Sequence, residues 1–166
     1  MVKIITGKMN SGKTTRIKEH YLLDKLGDGI ISRKVMIDKD VYGYKASRLS
    51  DNLEFSFMIH DKYYQENLFK NGDIYSRHFC NKIGPYWIYK KGMKRVLSIY
   101  KNLIKEKVSP IYFDEIGKFE IQCDGFYKPL KNALKKNLDV IFTIREDLIE
   151  ELVDKMNISN YEIIGR

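Results

Sequence analysis

The chain has 166 residues, of which 43% are hydrophobic and 13% aromatic; that suits one domain with its own core and excludes a disordered chain. The net charge of +8 allows an anionic partner, which nucleotide phosphates satisfy as well as nucleic acid does. No Lys/Arg block marks a dedicated nucleic-acid stripe, and no apolar run approaches a membrane span, so neither nucleic acid nor a membrane is expected as a partner. Cys80 and Cys123 stand far apart without a C-x-x-C partner, and His20, His60 and His78 share no ligand spacing. They read as reduced thiols and non-ligating imidazoles. The apolar N-terminal segment is too short for a signal peptide, and a cytoplasmic location is expected.

That N-terminal segment organises the rest. Val2, Ile4 and Ile5 form a strand-like run that leads at once into Gly7-Lys8-Met9-Asn10-Ser11-Gly12-Lys13-Thr14. This is G-x-x-x-x-G-K-[ST], the phosphate-binding loop. Its glycines let the backbone curl so that N–H groups from about Asn10 to Thr15 face a phosphate chain, at the positive end of the next helix. Lys13 is expected to reach the β- and γ-phosphates, and the Thr14 hydroxyl to ligate Mg2+.

The spacing of Ile17, Tyr21, Leu22 and Leu26 predicts a helix from Thr14 to about Leu26 with those residues on its buried face, stopped by Gly27-Asp28-Gly29. Gly29–Ile37 and Val41–Leu49 are β-rich and separated by Asp38-Lys39-Asp40, a hairpin-like turn. Leu53–Ile59 alternates with period two. These strands predict an antiparallel insert flanking the main sheet. Residues 60–93 hold Tyr63, Tyr64, Tyr75, Tyr86, Trp87 and Tyr89 among polar residues, with turn signals at Asn71-Gly72-Asp73 and Gly84-Pro85. The aromatics either form a platform for a base or pack a small cluster of their own. A helix follows from Met93 to about Glu106.

Ser109–Glu115 is the second anchor. Ile111, Tyr112 and Phe113 read as a buried parallel strand ending in two carboxylates. Asp114 at that tip suits a Mg2+ ligand, and Glu115 is placed to take a proton from attacking water. Beyond it come a helix through Phe126, Leu130, Ala133 and Leu134, a buried strand at Leu138–Ile144, a helix through Leu148–Met156 and a closing strand at Tyr161–Ile164. The alternation predicts an α/β fold of three layers.

With both anchors in view, ITGKMNSGKTT, FDEIGKFE and the segments between them resemble the small P-loop nucleoside-triphosphatase family first known from thermophiles, whose vertebrate member is the cancer-related nucleoside triphosphatase. The family's strand motif is similar to V-I-D-E-I-G-x-M-E. The chain keeps Asp114, Glu115, Ile116, Gly117 and Glu120, with Phe119 in place of Met. The resemblance implies a RecA-like P-loop fold, mainly parallel, with the 138–144 strand between the two anchor strands. It also implies Mg2+-dependent hydrolysis of ATP, GTP or other nucleoside triphosphates with weak base preference. Thr143 would then lie near the γ-phosphate and Arg145 just beyond. The chain departs from the family at Lys8, Asn10 and Ser11, and at Arg33–Lys34, which is basic where relatives are often acidic. The runner-up reading is a small-molecule kinase using the same site, and a third is a nucleic-acid-associated ATPase that would use the +8 charge. A monomer is expected.

Overall fold

The computed structural model describes residues 1–71 and 73–164. Its strands in chain order are β1 (Val2–Thr6), β2 (Asp28–Ile37), β3 (Asp40–Arg48), β4 (Glu54–His60), β5 (Phe79–Ile83), β6 (Tyr86–Tyr89), β7 (Ile111–Ile116), β8 (Val140–Ile144) and β9 (Glu162–Ile164). The helices are α1 (Lys13–Asp24), α2 (Asp61–Asn71), α3 (Asp73–Ser76), α4 (Lys90–Lys105), α5 (Lys118–Ile121), α6 (Tyr127–Lys135) and α7 (Ile149–Met156), the last entered through a 3-10 turn at Glu146–Leu148. The strands join in one sheet of order β5-β6-β4-β3-β2-β7-β8-β1-β9. As expected, β8 lies between β1 and β7.

The expected mainly parallel sheet needs correction. Of the pairings among the described residues, β7–β2, β7–β8, β8–β1 and β1–β9 are parallel, whereas β2–β3, β3–β4, β4–β6 and β5–β6 are antiparallel. The reason is local. Parallel neighbours need a crossover, but Asp38-Lys39 and Gly84-Pro85 are two-residue links that fold the chain straight back. The insert also does more than flank the sheet. β2 pairs with β7 over Asp28–Ile30 and then runs on to pair with β3, so both halves share one strand.

Three layers follow from which residues the strands bury. On one face α1 lays Ile17 and Tyr21 against Ile5, Ile31, Tyr112 and Ile141. On the other, α4, α6 and α7 cover Ile4, Phe113, Val140 and Phe142 with Val96, Tyr100, Leu130, Ala133 and Leu152. Burial of a side chain such as Phe113 or Phe142 contributes about 1.5–3 kcal/mol. Tyr100 stacks on Phe113 at 4.3 Å and donates its hydroxyl to the Tyr112 carbonyl at 3.1 Å. Burial pushes that phenol well above its usual range, so it stays a donor.

Two helix expectations shift. α1 stops at Asp24 because Lys25 turns left-handed (φ 54°), and its face narrows to Ile17 and Tyr21. Leu22 and Leu26 are 50% and 59% exposed. α4 begins at Lys90, three residues before the expected start. In the aromatic region, Tyr64 and Phe79 are buried with Ile59 among Tyr42, Tyr63, Tyr75, Trp87 and Tyr89. Tyr64 stacks on Trp87 at 4.4 Å, and Asp61 accepts the indole N–H at 2.7 Å. The packing alternative describes these rings. Gly72, of the expected turn, lies outside the described residues.

Candidate active site

The loop after β1 turns back on itself through glycine. Gly7 has φ 151° and Gly12 φ 80°, and a Cβ on Gly7 would meet Ser11 Oγ at 2.5 Å. A side chain at Gly7 would therefore be both strained and obstructed. Lys8, Met9, Asn10 and Ser11 form the exposed outer rim, and Asn10 is left-handed at φ 59°. Lys13 opens α1 and folds back so that Nζ donates to the carbonyls of Gly7 (3.1 Å) and Lys8 (2.8 Å). Partial burial pulls its ammonium below the usual range, against the opposing pull of Glu115 and then Asp114. Thr14 and Thr15 follow, Thr15 exposed.

Asp114 is 1% exposed and satisfied from three sides. Thr14 Oγ1 donates to Oδ2 at 2.9 Å, Ser32 N–H to the same oxygen at 2.9 Å, and Thr143 Oγ1 to Oδ1 at 2.7 Å. Burial raises its carboxyl above the usual range, and the Ser32, Thr143 and Thr14 hydrogen bonds hold that rise down.

A bulge explains how two consecutive carboxylates share this place. The β7–β8 register runs to Phe113 opposite Phe142 and resumes at Ile116 opposite Ile144, so Asp114 and Glu115 together face Thr143 alone. Such an insertion bends the strand and re-aims side chains. Glu115 is left-handed (φ 62°), a conformation costing a non-glycine residue roughly 1–3 kcal/mol. Thr143, fully buried, bridges the bulge. Its hydroxyl donates to Asp114 and accepts the Glu115 N–H at 2.6 Å. Glu115 keeps solvent contact while protein crowds it on most sides, so the desolvation it feels is that of a recess and not of a core. That desolvation, reinforced by the Asp114 charge, pushes the carboxyl up to about 7, opposed by Lys13 and Lys34.

Lys13, Thr14, Asp114, Glu115 and Thr143 are thus brought together. Arg145 lies near enough to repel the Lys13 ammonium, and its own guanidinium is paired in bidentate fashion with Asp147. Three further parts were given no role at the site from the sequence. Arg16 donates to the Thr6 carbonyl at 2.7 Å and pins the loop's entry. Lys34 reaches Asn10 across the mouth of the loop at 3.3 Å. Glu120, 3% exposed, accepts from Gly117 N–H (2.9 Å) and Phe126 N–H (3.0 Å) and fixes the turn leaving β7. Glu120 had a signal, since a Glu three residues into a helix that reaches back to the cap is the second half of a capping box. Arg16 and Lys34 had none.

A cleft of about 750 Å³ opens beside Thr14 and Thr15 and runs between α1 and the β2–β3 hairpin. Lys18 and Lys25 rim it, each without an ion pair among the described residues.

A sheet ordered β9-β1-β8-β7-β2, with a glycine loop after β1 and a carboxylate at the tip of β7, defines an α/β protein with the layout of a P-loop nucleotide-binding domain. A family model described as NTPase matches residues 3–164, and the chain belongs to that family. Nucleoside-triphosphatase THEP1 of Thermotoga sp. strain RQ2 is 23% identical over 96% of this chain and 84% of its own length. The protein of the same name from Thermotoga petrophila is 24% identical over 86% of this chain and 71% of its own. The crystal structure of THEP1 from Aquifex aeolicus shares the fold, with a TM-score of 0.62 and 21% identity over 99% of this chain and 89% of that one. The solution structure of a human cancer-related nucleoside triphosphatase gives 0.62 at 18% identity, over 99% and 87%.

Proposed function

We propose that this chain is a Mg2+-dependent nucleoside triphosphatase that cleaves a nucleoside triphosphate to the diphosphate and phosphate with weak base preference. One observation carries the reading: the buried Asp114 carboxylate touches the Thr14 hydroxyl at 2.9 Å, across the tips of β7 and α1. A carboxylate beside a hydroxyl is a donor set of hard oxygens, suited to Mg2+, which takes few protein ligands and fills its shell with phosphate and water. Thr14 and Asp114 would hold the ion, which when bound neutralises charge on the β- and γ-phosphate oxygens.

The protein's own groups do the rest. The Asn10–Thr15 backbone cradles the phosphates, and Lys13 leaves its carbonyl partners to meet their oxygens. Glu115 takes a proton from water as the water oxygen bonds to the γ-phosphorus and the bridging P–O bond breaks, its electron pair leaving on the β-phosphate. Thr143 is a positioning residue that keeps Glu115 and Asp114 aimed. Burial of the aromatic cluster supports weak base preference, since those rings are taken up by each other. The proposed site needs no residue from a second subunit, and a monomeric enzyme is part of the proposal. No helix among the described residues is long and apolar enough to cross a membrane.

The test is phosphate release from the four common triphosphates with and without Mg2+. Hydrolysis of several at similar rates, with Asp114→Asn raising the Mg2+ concentration required, is the expected result; no release from any of them would overturn the reading. The cleft beside Thr14 favours a second reading, in which a small acceptor bound there takes the phosphoryl group in place of water. Phosphate appearing on an added acceptor would identify it.

A further inference from the structure

The antiparallel half of the sheet sends one cation into the site. β2 leaves β7 after Ile30, and Ser32 N–H then grips Asp114, which fixes the strand against the carboxylate at the site's centre. Two residues on, Lys34 stretches Nζ to the Asn10 side-chain oxygen on the loop at 3.3 Å, while Lys13 donates to the loop carbonyls of Gly7 and Lys8. Lys34 sits opposite Tyr44 on β3, whose ring is packed edge-on against Tyr86, and Tyr86 in turn against His60. The hairpin carrying it is thus backed by packed rings from β3, β4 and β6.

Lys34 also has no ion pair of its own among the described residues, although its charge is felt by the Glu115 carboxylate. Its neighbour Arg33 is neutralised by Glu54 at 3.0 Å, and Arg48 by Asp28 at 2.7 Å. Among the described residues Lys34 has no carboxylate within ion-pair distance, and its one partner is a neutral, exposed amide. A long bond to such an amide is weaker than one to a phosphate oxygen, which is charge-assisted. A triphosphate seated on the Asn10–Thr15 backbone would lie between Lys13 and Lys34.

We propose that Lys34 is a second catalytic cation, which exchanges Asn10 for an oxygen of the terminal phosphate and stabilises the charge that builds as the β–γ bridge breaks. It transfers no proton and keeps its charge throughout. The inference rests on the hydrolase reading given above. It places on the antiparallel hairpin a role that the parallel core does not fill, because Arg145 is paired with Asp147 and Arg16 with the Thr6 carbonyl.

The experiment compares wild type with Lys34→Ala, Lys34→Arg and Lys34→Gln, measuring kcat for phosphate release and affinities for Mg·ADP and for Mg·ADP with aluminium fluoride, a mimic of the transferring phosphoryl group. Lys34→Ala is expected to lower kcat roughly 10–100-fold, in the range lost with one charge-stabilising donor. It should weaken the aluminium fluoride complex by a similar factor and leave ADP affinity near wild type. Lys34→Arg should lie well above Lys34→Ala, and Lys34→Gln, which can still donate to Asn10 but carries no charge, should fall with Lys34→Ala. If wild type hydrolyses and Lys34→Ala keeps kcat within about threefold, well short of one donor's contribution, the inference fails while the hydrolase reading stands. A Lys34→Gln that recovers the level of Lys34→Arg would reduce Lys34 to a tether of the loop and also overturn it. A wild type that releases no phosphate removes both.

Discussion

The parallel and antiparallel halves of the sheet do different work with different chemistry. In β7, β8 and β1, the strands are covered on both faces, and apart from Lys3 and Tyr112 their side chains short of the tips are aliphatic or phenylalanine. The polar groups of the site gather at those tips: Asp114, Glu115, Thr143 and the loop after Thr6. In the antiparallel half, the two-residue links bring strands together without crossover helices, and the rings of Tyr64, Phe79 and Trp87 form a separate core at its far end. A buried, doubly covered sheet edge makes the chemistry. The half with looser cover presents a hairpin to it, and with it the charge of Lys34. The comparison teaches that catalytic geometry and its modulation can reside in two structural regimes joined by a single strand, β2.

The largest expected effect tests the parallel half. Glu115→Gln keeps shape but cannot accept a proton, so single-turnover hydrolysis should fall by about 10²–10⁴-fold with Mg·nucleotide affinity retained. In wild type, the Glu115 carboxyl lies near 7 and must be ionised to act. The value of kcat/KM should therefore rise with pH through about 7 and then level, and this limb should vanish in Glu115→Gln. An unchanged limb in the variant would assign the titration to another group.

Lys13→Ala comes next. The loop is shaped by backbone and by Arg16, so the fold should persist while turnover drops by about 10²–10³-fold. Near wild-type turnover in a folded variant would remove phosphate binding from this loop.

Phe79→Ala moves to the antiparallel half. Truncating this buried ring should cost about 3–5 kcal/mol in denaturant unfolding, and nucleotide affinity should not change while the protein is folded. A loss of affinity there would restore the base-platform role to the aromatic cluster and blur the division between the halves.

The smallest effect concerns the turn that leaves β7. Burial pushes the Glu120 carboxyl up to about 7, despite the Phe126 and Gly117 N–H donors that favour its charged form. A raised carboxyl binds its proton more tightly folded than unfolded. Its contribution to stability is full below about 4.5 and declines as pH rises through about 7, by at most about 1.4 kcal/mol per pH unit. Glu120→Gln should flatten that slope between pH 5 and 7 and, by losing one acceptor, lower stability overall. An equally steep slope in the variant would place the titrating group elsewhere.

Sequence alone determined the parts whose meaning is local. The glycine–lysine–threonine loop is legible because each residue type has a backbone or phosphate task at fixed spacing. The Ile111–Phe113 run is legible because a strand buried on both faces must be continuously apolar. Asp114, Glu115, Lys13 and Thr14 were found that way, and the structure brings them together. Tertiary structure decided the rest. Whether β2 to β6 form a separate insert or extend the main sheet depends on pairings between strands far apart in sequence, and a two-residue link fixes only the antiparallel return. The left-handed turn of Glu115 exists because Thr143, 28 residues away, fills the bulge from the neighbouring strand. Lys34 meets Asn10 only because Ser32 is held by Asp114, a long-range contact that leaves no periodicity behind in the chain.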